Sequence, residues 1–141
     1  PGTWRVGLDS IKSFLAKEVL IDTSNIRLAD GSGVSRYNLT SAAQLNSLLK
    51  WMYNSKYKDD FISTLPGGGW ENSTLEKRLI DEGDLVRAKT GGLSGVRNLA
   101  GYIKSKKYGD VAFSILMNGY TDYSSRYARV HDQIVKSIIY D

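Results

Sequence analysis

The spacing of apolar residues splits the chain into a helical part and a sheet-forming part. Ile11, Phe14, Leu15 and Val19 recur at helical intervals behind Ser10, which predicts an amphipathic helix over residues 10–18. Residues 26–29 read as a short strand-like piece that runs into Asp30-Gly31-Ser32-Gly33, a loop whose glycines permit backbone angles other residues avoid. Ser41-Ala42-Ala43-Gln44 has the form of a capping box. Leu45, Leu48, Leu49, Met52 and Tyr53 behind it lay an apolar stripe on a helix that reaches about Asn54. A shorter helix is predicted over residues 59–64, stopped by Pro66 and Gly67-Gly68-Gly69. Ser73-Thr74-Leu75-Glu76 repeats the capping-box form. With Leu75, Leu79 and Ile80 on one face and Gly83 as a stop, it predicts a further helix of about ten residues.

Beyond Gly83 the period falls to two. Residues 85–90, 96–103 and 111–117 are predicted strands, the last two joined by a turn at 107–110 that favours antiparallel pairing. The chain closes with Tyr127, Val130, His131, Ile134, Val135, Ile138 and Ile139, a helix whose apolar face is expected against the sheet and whose His131 is expected half-buried. Helices, then strands, then a helix define an α+β class, an antiparallel sheet with packed helices. No repeat or linker divides it.

Composition supports one globular unit. A chain of 141 residues with 41% hydrophobic content is long enough to bury roughly 70% of its unfolded surface. The net charge of +4 is spread out except at Lys104, Lys106 and Lys107. That cluster reads as a solvated hairpin tip, since no aromatic-interleaved basic stripe accompanies it, and nucleic acid is not an expected partner. There is no cysteine, which removes disulfide and thiolate chemistry. No apolar run approaches the roughly 18 residues a membrane-spanning helix needs, so no transmembrane segment is expected. The chain opens on Pro1 rather than Met and enters an apolar segment at once, so sequence upstream, with any export signal, is expected.

The chemistry-bearing pattern is Lys89-Thr90-Gly91-Gly92 at the end of a strand. Alternation places Leu85, Arg87 and Lys89 on one side, with Arg87 expected to be solvated. Alone, such a tripeptide is a weak signal. His131 is the only histidine, so a His-based triad or a His-rich metal site has no material, and neither metal nor cofactor is expected. The three glycines from Gly67 lack the Gly-Lys-Ser/Thr of a phosphate loop, and the sequons at Asn38 and Asn72 carry meaning only in a eukaryotic secretory setting.

The surroundings of the triplet resemble a family. Ala88-Lys89-Thr90-Gly91, Leu93, Gly95-Val96 and Asn98-Leu99-Ala100-Gly101-Tyr102 are similar to the third-motif strand and its successor in the D-alanyl-D-alanine carboxypeptidase/endopeptidase class of low-molecular-mass penicillin-binding proteins. Asp30-Gly31-Ser32-Gly33-Val34-Ser35-Arg36 resembles that family's aspartate-glycine-serine-glycine loop. Phe61 to Pro66, Thr74-Leu75 with Arg78, and the opening Pro1-Gly2-Thr3-Trp4 also resemble it, in the family's order.

The resemblance implies part of a β-lactamase/transpeptidase-like fold and a serine hydrolase of bacterial, extracytoplasmic location. Its substrate would be a peptidoglycan peptide ending in D-alanyl-D-alanine, with β-lactams as inhibitors. It implies that Lys89, Thr90, Gly91 and Gly92 form one wall of the site, and that Val34 and Leu93 border the substrate. Of the family's Ser-x-x-Lys, Ser-x-Asn and Lys-Thr-Gly motifs, only the third is present in place. Ser47-Lys50 and Ser55-Lys58 have the first spacing but not the family's order, and Thr23-Ser24-Asn25 has the wrong spacing for the second. The nucleophile is therefore expected in an upstream half that completes the domain. Position 92 is commonly Ser or Thr in the family, and Gly92 departs from that. The rival expectation is a non-catalytic peptidoglycan-binding or interaction module.

Overall fold

The computed structural model describes residues 2–141. Its elements are helices α1 (Trp4–Lys17), α2 (Ala42–Asn54) and α3 (Lys58–Ser63), strands β1 (Val86–Leu93), β2 (Val96–Ser105) and β3 (Gly109–Asn118), and helix α4 (Ser124–Tyr140). The strands form one antiparallel sheet in the order β1-β2-β3. A two-residue turn at Ser94-Gly95 joins β1 to β2, and its second residue, Gly95, takes a positive φ of 70° that glycine adopts without strain.

Helices cover both faces of the sheet. On one, Val86, Ala88, Leu99, Ile103 and Phe113 pack with Val135 and Ile139 of α4 and with Leu75 and Leu79. On the other, Tyr102, Ala100 and Ala112 pack with Leu49 and Tyr53 of α2, Phe61 and Ile62 of α3, and Leu65. The Tyr102 hydroxyl donates to the Leu49 carbonyl at 2.7 Å, and burial pushes its pKa up to about 12. Ser114 Oγ donates to the Ala42 carbonyl at 2.8 Å, tying β3 to the start of α2. The centre of the sheet is tight: a Cβ on Gly101 would stand 2.0 Å from the Arg87 carbonyl oxygen, so only glycine lets β1 and β2 close there. A smaller cluster of Val19, Ile21 and Ile26 with Leu15, Leu48 and Trp51 seats α1 on α2.

The α2 capping box forms as expected, with Ser41 Oγ accepting from Gln44 N and Gln44 Oε1 from Ser41 N. Three expectations are corrected. The first helix starts at Trp4, capped by Thr3, because Ser10 Oγ donates back to the Val6 carbonyl within the helix instead of capping it. No helix spans 73–83. Ser73 Oγ donates to the Trp70 carbonyl, Leu79 sits at φ 53°, and Gly69 N takes the carbonyls of Leu75 and Arg78, so the segment winds in turns around the glycines. Leu75 and Leu79 still reach the core, whereas Ile80 is exposed; tertiary hydrogen bonds to bare backbone outweigh the local helical signal. His131 is fully buried, on a stripe with Ala128, Val135 and Ile139, and Val130 and Ile134 stay exposed.

Among the described residues no helix is long and apolar enough to cross a membrane.

Candidate active site

β1 is an edge strand, and the candidate site lies on its outer side. Ala88 N donates outward to the Pro66 carbonyl at 3.0 Å, and Gly67 bridges Arg87, so the glycine segment covers the first half of that edge. Successive residues of an antiparallel strand direct their backbone groups to opposite sides, so the N–H and C=O of Thr90 and Gly92 face the same way as those of Ala88. Beyond Ala88 this edge has no strand partner among the described residues. It presents two free N–H groups and two carbonyls beside a lysine, a threonine and bare backbone.

Side chains alternate about the edge. Lys89 and Gly91 lie on the α2/α3 face with Arg87, while Thr90 and Gly92 lie on the α4 face with Ala88. Lys89 is exposed, and its Nζ donates to the Thr90 carbonyl at 2.9 Å, which holds the ammonium at the free edge. The strand runs on through Gly91, Gly92 and Leu93, three residues past the expected end at Thr90. Arg87 is not solvated as expected. Its guanidinium stacks 4.1 Å from the Trp70 ring and donates to the Leu65 carbonyl at 3.2 Å, pinning the segment that covers the edge.

The aspartate-glycine loop is a self-bonded unit. Asp30 accepts from the N–H groups of Gly33 and Ser35, both at 2.9 Å, and from Asn38 Nδ2 at 2.8 Å. These bonds, the Asn38 amide foremost, hold its carboxyl below the usual range. Arg36 Nη2 donates to the Ser94 carbonyl at 2.7 Å, which docks this loop on the β1–β2 turn, next to Leu93. Val34 stands 70% exposed on that loop. Thus the chain brings Lys89, Thr90, Gly91, Gly92 and Leu93 onto one strand end and fastens the Val34 loop beside it through Arg36, a tie the sequence did not reveal.

The two serines with a lysine three positions on are occupied elsewhere. Ser47 Oγ donates to the Ala43 carbonyl and Ser55 Oγ to the Met52 carbonyl, both on α2. His131 is sealed beneath α4, and neither ring nitrogen has a partner among the described residues. Burial, then the guanidinium of Arg78, lower its pKa to about 4. Arg78 is held by Asp132, Nη2 to Oδ1 at 2.7 Å, and by the Ala128 carbonyl.

Comparison with known proteins gives this arrangement its class. The sequence profile of the D-Ala-D-Ala carboxypeptidase 3 (S13) family matches residues 1–137, and the chain belongs to that family. It is 35% identical over 124 residues to the D-alanyl-D-alanine carboxypeptidase DacB of Haemophilus influenzae, covering 86% of this chain and 26% of that protein. It is 36% identical over 127 residues to the D-alanyl-D-alanine carboxypeptidase of Actinomadura sp. strain R39, covering 85% of this chain and 23% of that one. The crystal structure of penicillin-binding protein 4 (dacB) from H. influenzae with a β-lactam superposes with a TM-score of 0.87 at 30% identity, over all of this chain and 34% of that one. The fold is therefore that of the penicillin-binding proteins. The chain spans about a quarter of the length of the curated relatives it matches.

Proposed function

We propose that residues 1–141 form the Lys-Thr-Gly wall of an extracytoplasmic, serine-type D-alanyl-D-alanine carboxypeptidase/endopeptidase whose nucleophile belongs to a preceding half of the same protein. The observation that carries this reading is the outer edge of β1 at Thr90–Gly92, free of a strand partner among the described residues and flanked by the Lys89 ammonium.

In this reading the peptidoglycan peptide lies along the free edge as an added strand, bonded to backbone groups of Thr90 and Gly92. Gly91 keeps that approach unobstructed. The serine hydroxyl attacks the carbonyl carbon of the penultimate D-alanine, and a base in its own motif takes the proton. The N–H of Gly92 donates to the oxyanion that develops, together with a second N–H from the serine's segment. The C–N bond then breaks, and the terminal D-alanine leaves with the proton on its amine. Water hydrolyses the resulting ester, releasing the shortened peptide and restoring the serine. Lys89 supplies positive charge beside the serine and the substrate's terminal carboxylate, where exclusion of water strengthens it. Thr90 donates its hydroxyl to that carboxylate, and Val34 and Leu93 border the apolar side of the substrate.

The test is covalent labelling of the whole enzyme with a fluorescent penicillin, followed by mapping of the modified peptide. One labelled serine outside residues 1–141 is expected. A whole protein that takes no label and lacks an upstream Ser-x-x-Lys is a binding module instead.

A further inference from the structure

Gly92 has no side chain with which to meet a carboxylate, and the structure places a cation where that side chain would be. Gly92 and Arg97 face each other across the two-residue turn, and Arg97 Nη1 lies 3.4 Å from the position a Cβ on Gly92 would take. The guanidinium thus extends from β2 across β1 on the α4 face, the face that also carries Thr90. It has no ion pair and donates no hydrogen bond among the described residues, and its Nε is shielded from solvent without a partner. His131, which faces it from α4, cannot neutralise it, because an imidazole is either neutral or cationic. An unpaired, partly buried guanidinium is costly unless an anion completes it.

Resting on the function proposed above, we infer that Arg97 is the specificity-determining residue for the substrate's terminal carboxylate. It takes up the contact that a hydroxyl at position 92 would otherwise make. The planar fork of a guanidinium suits a carboxylate better than a single hydroxyl does, since two N–H groups bind two oxygens in parallel. Lys89 and Arg97 then flank the β1 edge from opposite faces, so that the terminal carboxylate meets Lys89 from the serine's side and Arg97 from the α4 side. Gly92 and Arg97 act as a pair: a Cβ at 92 would meet the guanidinium at contact distance, and a hydroxyl on it would compete for the same space.

The experiment compares two probes on the whole enzyme, a D-alanyl-D-alanine peptide with its free carboxylate and the same peptide amidated. Arg97→Ala should lower kcat/KM for the acid by about 10- to 100-fold, the range of a hydrogen bond to a charged group. It should leave the amide nearly unchanged, so that the preference for the acid collapses. Arg97→Lys, which keeps the charge but loses the fork, should fall between. Adding Gly92→Thr to Arg97→Ala should restore part of the preference. A loss that falls equally on both probes makes Arg97 a packing residue and overturns the inference, as does an unchanged preference. If the unaltered enzyme neither cleaves the acid peptide nor takes penicillin, the parent reading fails and this one with it; an active enzyme indifferent to Arg97 refutes the inference alone.

Discussion

Lys89→Ala in the whole enzyme is expected to slow acylation by penicillin by about 100- to 1000-fold, the range set by removal of one preorganised electrostatic group from an acyl-transfer site. Lys89 is exposed, and its one hydrogen bond among the described residues is to the neighbouring Thr90 carbonyl, so it contributes little to folding. The melting temperature should therefore stay within the narrow spread of surface substitutions while the acylation rate collapses. Stopped-flow measurement of penicillin labelling, read beside thermal unfolding, separates the two effects. A variant that labels as fast as the unaltered enzyme would remove Lys89 from the site.

The second large effect concerns stability against acid. His131 is buried with its ring nitrogens unpartnered among the described residues, and its pKa is lowered from 6.5 to about 4, first by burial and then by Arg78, with Arg97 acting in the same sense and Asp132 against it. These groups face it from the turns at 73–82, from β2 and from α4 itself. Because the unfolded chain binds this proton more readily than the folded one, stability is complete above the unfolded pKa. It falls as the pH drops from about 6.5 towards 4, and the loss levels off below that. The loss from this one group is on the order of 3 kcal/mol at most. Urea unfolding at pH 7, 5 and 4 should show a declining midpoint, and His131→Leu should flatten the decline over that window. An equal decline in both proteins would mean that His131 does not stay neutral in the folded state.

Local signals decided much of this architecture, and tertiary contacts decided the rest. The capping box at Ser41 and the apolar stripe behind it belong to one continuous segment, so α2 could be read residue by residue. The period-two strands likewise showed in their own alternation, whereas the pairing of Gly92 with Arg97 lies beyond the strand end expected at Thr90. What local pattern missed was supplied from a distance. The turns at 73–82 exist because Gly67, Gly68 and Gly69 offer backbone that the segment wraps, and helical spacing of Leu75 and Leu79 says nothing of that. Arg87 resembled a solvated strand arginine until Trp70 and the Leu65 carbonyl closed over it. The Lys-Thr-Gly strand was legible through its neighbours rather than through the triplet itself. Arg36 and Arg97 were not, since one acts across 58 residues of sequence and the other through a space defined by an absent side chain.

The most direct measurement is a crystal structure of the whole enzyme acylated by penicillin. The acyl carbonyl oxygen should lie about 3 Å from Gly92 N, with Lys89 Nζ within hydrogen-bonding reach of the acylated serine oxygen and the ligand running along the outer edge of β1. A further protein strand paired to Thr90 and Gly92, or an acyl group whose carbonyl points away from that edge, would contradict the account.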